Sequence, residues 1–160
     1  MFCNMRKGVL LYLSMYMLQL FSGNEVQDLR SMYYKSIEDE QSAKKFFKYF
    51  DNKDVKNNVI LTGYCAVANF LQSKHAWNPY VKLEYYNVGK AQLEHAIELD
   101  LENIELRFLR LSIQNNLPSF LDYSKSIKED TYFLINHLAE IKDKDLKQKI
   151  TLYLQELKAL

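Results

Sequence analysis

Between Ile104 and Gln114 the chain reads IELRFLRLSIQ, and a helix with a single buried face cannot accommodate that pattern. At 100° per residue, Ile104, Phe108 and Leu111 make one apolar patch, and Leu106, Leu109 and Ile113 make a second nearly opposite. Arg107, Arg110 and Gln114 align in the sector between them, at i, i+3 and i+7. A helix that is apolar on two sides needs neighbours on both, so the segment predicts an interior helix of a multi-helix packing. Pro118 disfavours helical geometry at Leu117 and ends it there.

The rest of the chain agrees with an all-α fold. Of 160 residues, 48% are hydrophobic, enough for one substantial core, and the length favours a single domain. Four glycines and two prolines are too few for the turns of a β-sandwich or barrel. Lys and Arg number 21 against 20 Asp and Glu, a balance of +1 that predicts no nucleic-acid partner and no basic-patch attachment to an anionic membrane.

The N-terminus differs in kind. Arg6 and Lys7 precede the apolar run from Val9 to Phe21, and Ser22 and Gly23 follow it. A positive start, a short apolar stretch and small residues at its end have the form of a secretory signal peptide, here residues 1–23, cleaved near Ser22 and Gly23. The run is shorter than the ~20 residues of a membrane span, which makes an uncleaved anchor the alternative. A buried first helix is the third reading, and Met5 is a second candidate start. The expectation is a periplasmic or secreted protein whose residues 24–160 form one helical domain, with membrane contact only through the N-terminal segment. Cys3 leaves with that segment, and Cys65 then has no intramolecular disulfide partner.

Helical spacing recurs from Glu25 to Phe50, with a break near Ser36 to Gln41 and a polar connection at Asp51 to Asn58. In Val59 to Lys74 the small or polar residues Thr62, Cys65, Ala66 and Asn69 gather on one side and bulky apolar residues on the other, which suits a helix held between two others. Lys82 to Asp100 is amphipathic, with Tyr86, Gly89, Leu93, Ala96 and Ile97 together. Tyr132, Phe133, Ile135, Leu138 and Ile141 indicate a further helix. The last segment carries Leu146, Ile150, Tyr153, Leu157 and Leu160 on one stripe, as a terminal helix that closes a helical stack does.

GKAQLEHAIELDLEN followed by IELRFLRL resembles the second helix, connection and next first helix of a tetratricopeptide-type (TPR) repeat, with Ala96, Leu99 and Asp100 in its A-x-x-L-D ending. Leu101 stands where that repeat has proline, and the resemblance covers residues 57 to 117. GYCAVANF, NPYVKLEYYNVGK and ELRFLRLSIQNNLPSFLDY, with their spacing, are also similar to an uncharacterised bacterial family of exported helical-repeat proteins, in which Asp122 takes the place of a glycine. The resemblance implies a short α-solenoid of TPR-like helical hairpins, closed by an amphipathic C-terminal capping helix, and a protein or peptide partner.

Two groups of residues stand out as sites. The stripe of Arg107, Arg110 and Gln114 could offer two guanidiniums to a carboxylate-bearing partner. Its structural alternative is pairing with carboxylates of neighbouring helices such as Glu94, Glu98 or Glu105. His75, Trp77, Asn78 and Tyr80 form the other concentration. They read either as a hairpin anchored by a buried Trp77 or as a small enzyme or small-molecule pocket near Trp77 and Tyr80. His75, His95 and His137 lack metal-ligand spacing, the glycines are isolated, and no nucleophile motif occurs. The expectation is therefore a non-enzymatic protein without metal or cofactor.

Overall fold

The computed structural model describes residues 25–159. The signal-like segment 1–23 and Leu160 lie outside the described residues. Within them the chain is all-helical, with no strand. In chain order the helices are α1 (25–38), α2 (Glu40–Lys48), α3 (Val59–His75), α4 (Pro79–Leu99), α5 (Ile104–Asn116), α6 (Ile127–His137) and α7 (Lys144–Ala159). Short 3₁₀ turns at Ser119–Leu121 and Leu138–Glu140 flank α6.

Short polar side chains set the helix starts. Asp39 accepts from the Ser42 amide, Asn58 from Ile60 and Leu61, Asn78 from Tyr80 and Val81, and Asn103 from Leu106, each satisfying amides that the first helical turn leaves unpaired. Pro79 at the first turn of α4 sacrifices no hydrogen bond there. The break expected near Ser36 to Gln41 is thus a single residue, Asp39, between α1 and α2. Asp122 follows the first 3₁₀ turn at φ 45° and ψ 46°, the left-handed conformation that glycine would adopt most easily and that aspartate tolerates.

α3 and α4 form the most extensive helix pair, running antiparallel with the Ser73 hydroxyl donating to the Lys82 carbonyl and Asn69 reaching Gln92. Gly89 permits the approach. A Cβ there would lie 2.9 Å from the Ala66 carbonyl oxygen and 3.1 Å from the Phe70 ring. Because the first obstacle is backbone, Gly89→Ala forces the helices apart and should cost about 1–3 kcal/mol. We expect a drop of several degrees in the melting transition, read by far-UV circular dichroism; an unchanged transition would show that α4 has slack.

Two apolar cores result. The larger joins α1 to α5, with Leu29, Phe46, Tyr64, Val67, Leu93, Leu106 and Leu109 buried in it. The smaller joins α5, α6 and α7 through Phe108, Leu111, Leu134, Ile141 and Ile150. α5 belongs to both: Leu106, Leu109 and Ile113 enter the first, and Ile104, Phe108 and Leu111 enter the second. This is the two-sided burial its sequence requires. In α6 the fully inward apolar residue is Leu134, whereas Tyr132 and Ile135 face solvent. α7 sets its apolar stripe on the smaller core and also meets α1, through Arg30 with Asp145 and Lys149 over the Tyr34 ring.

Candidate functional site

Between its two apolar faces α5 carries two polar seams, each a quarter-turn from the cores. On one, Arg110 clasps Asp130 with both Nε and Nη2 at 2.7 Å and reaches Glu94 with Nη1 at 2.8 Å. Arg107 shares Asp130 at 2.9 Å, binds Glu129 at 2.6 Å and donates from Nε to the Leu101 carbonyl. Asp130 is 0% exposed and is held by two guanidiniums. Tyr123 donates its hydroxyl to the other oxygen of Glu94, and the Arg107 guanidinium lies over the Phe133 ring. Gln114, 3% exposed, completes the seam, with its Oε1 unpaired among the described residues.

On the opposite seam the charges are exchanged. Glu105 of α5 accepts from Arg30 of α1 at 2.9 and 3.2 Å and from the Tyr64 hydroxyl at 2.6 Å. The remaining Arg30 donors reach Asp145 and Asp143 at 2.6 and 3.0 Å. Burial alone would lower the pKa of Arg30 and Arg110, yet their carboxylate partners outweigh it and hold both above the ordinary guanidinium range. For Tyr64, burial and then Glu105 push the phenol pKa up, so it stays a donor.

The candidate partner-binding residues Arg107, Arg110 and Gln114 are therefore brought together as expected but turned inward. Arg110 meets carboxylates with all three of its nitrogens, and Arg107 is paired through Nε and Nη1, so both guanidiniums of the stripe are committed to partners among the described residues. Of the expected carboxylates, Glu94 is a partner. Glu98 is not, and Glu105 belongs to the other seam. Glu129 and Asp130, which do most of the pairing, were missed. Asp130 and Arg30 had a signal: Asp130 lies on the apolar line of Ile127 and Leu134, and Arg30 on that of Val26, Leu29 and Tyr33. A charge on an apolar line needs a buried partner of opposite sign.

The Trp77 group departs from its expectation. Trp77 is 100% exposed and Tyr80 83%, so Trp77 anchors no hairpin and both rings stand in solvent. The turn at Ala76 to Asn78 presents them at the tip of the α3–α4 hairpin, with Val81 and Leu83 also in solvent. The Asn78 cap and Pro79 fix the backbone beneath them. The Ile37 carbonyl accepts from Lys74 nearby, placing the end of α1 at the same pole, while Glu25 at the start of α1 meets Tyr49 and Lys53. A cavity of about 470 Å³ lies elsewhere, an open groove between α1 and α7 lined by Arg30, Tyr34, Asp145 and Lys149 among others.

No family model, curated protein or solved structure matches the chain. Among the described residues no helix is long and apolar enough to cross a membrane, and no group of three His, Cys, Asp or Glu side chains is placed to hold a metal ion. Burial raises the pKa of the Cys65 thiol and so disfavours a reactive thiolate there.

Proposed function

We propose that this chain is a protein- or peptide-binding module whose main contact is the aromatic tip of the α3–α4 hairpin. In this reading it is an exported, periplasmic or secreted protein with a signal peptide at residues 1–23, built as a TPR-like stack of hairpins that α7 closes. The observation that carries the contact is the full exposure of Trp77 beside Tyr80 on a capped, rigid helix start. Trp and Tyr are the side chains that dominate the energetics of protein interfaces, and a fixed backbone lowers the ordering cost of binding. The buried arginine stripe supports the fold in this reading and makes no partner contact.

Trp77 is the one tryptophan of the chain and hence a built-in probe. We expect water-exposed fluorescence in the free protein and a blue shift on partner capture. W77S/Y80S should lose capture from a cell-envelope extract by tenfold or more, while its melting temperature stays within about 2 °C, because exposed side chains away from packing contribute little to stability. Undiminished capture by this variant would remove the tip from the interface.

A further inference from the structure

The other end of α4 is built differently. Glu98, Leu99, Asp100, Leu101 and Glu102 form the connection to α5, with Leu99 57% and Leu101 56% exposed. No lysine or arginine occurs from residue 91 to residue 106, although five carboxylates do. Two of those five are committed inside the fold, Glu94 to Arg110 and Glu105 to Arg30. The nearest cation in sequence, Arg107, spends its charge on Asp130 and Glu129. Glu98, Asp100 and Glu102 form no ion pair with lysine or arginine among the described residues. Glu98 meets only His95, at 4.0 Å.

The turn is also rigid. Arg107 donates its Nε to the Leu101 carbonyl at 3.0 Å, and Asn103 both caps α5 and donates to Asp100 at 2.8 Å. Two aliphatic side chains are thereby held in water inside a rim of uncompensated carboxylates. We infer that this turn is a second docking surface, and that its occupant is a cationic amphipathic helix of a partner protein, with aliphatic residues flanked by Lys or Arg. The complementarity is specific in two respects: the leucines reward an apolar stripe, and the rim rewards cations and repels acidic segments. Arg107 acts here as a positioning residue, since its fork ties the turn to the buried Asp130.

The test uses the full chain and a synthetic Leu/Lys amphipathic peptide, with a control of the same composition in non-amphipathic order. Titration by fluorescence anisotropy should show binding of the first peptide that weakens with salt, and weaker binding of the control. L99S/L101S should raise Kd by tenfold or more at unchanged melting temperature, E98Q/E102Q should raise it several-fold and flatten the salt dependence, and W77S/Y80S should leave it unchanged. Equal affinity for both peptides, or wild-type binding by L99S/L101S, would overturn the inference by reducing it to bulk charge. Loss of binding in W77S/Y80S alone would assign the cationic peptide to the hairpin tip and equally overturn it.

Discussion

Asp130→Asn is expected to lower the melting temperature by about 10 °C, because removing one member of a buried ion-pair network costs about 3–5 kcal/mol. Asp130 sits between Arg107 and Arg110 with no exposed surface. Asparagine keeps the size but removes the negative charge, and its amide nitrogen turns a donor toward donors. Two guanidiniums are then left without their shared counter-charge, one over the Phe133 ring and the other beside Glu94. Thermal denaturation followed by circular dichroism reads the effect directly. A transition within about 2 °C of wild type would mean that water or a rearranged Glu129 already compensates the arginines.

Arg30→Met should be of comparable size, again about 3–5 kcal/mol, since it strands Glu105 in the opposite seam beside the Tyr64 hydroxyl. Asp143 and Asp145 are partly exposed and can turn to water, so Glu105 bears most of the loss. Replacing both partners, as R30M/E105L, should recover much of the stability, because an apolar pair has no stranded charge. The Arg30 seam also gives the stability a pH dependence. Burial pushes the Asp143 pKa up, but the Leu146 amide and Arg30 outweigh it and hold it below its ordinary 3.8. A carboxyl depressed in the folded state contributes stability above its unfolded pKa and loses it as pH falls through the folded one. Wild type should therefore lose more stability than R30M/E105L between pH 5 and about pH 2. If R30M/E105L proved as unstable as R30M, lost packing rather than stranded charge would be the cause.

Much of this fold is legible in the sequence, and α5 shows why. Its apolar residues occupy two opposed sectors that only a helix with neighbours on both sides can bury, and both cores follow from them. Gly89 was readable as part of the packed side of α4, and Pro118 as an end. The arginines were readable as a stripe but not in their direction. A guanidinium on a helix surface looks the same in sequence whether it meets water or Asp130, and the deciding residue lies twenty positions away. Trp77 illustrates the opposite difficulty. Aromatic side chains are buried so often that exposure is not anticipated, yet a turn only three residues long carries Trp77 beyond the reach of either core.

Both seams of α5 are committed to the fold. A double-mutant cycle with R110M, D130N and the double variant, measured by urea denaturation, tests that commitment most directly. The prediction is strong coupling, about 2–3 kcal/mol, with each single variant far less stable than wild type. Additivity within about 0.5 kcal/mol, with singles near wild type, would show that Arg110 and Asp130 do not depend on each other and would return the arginine stripe to the surface as a site for a ligand.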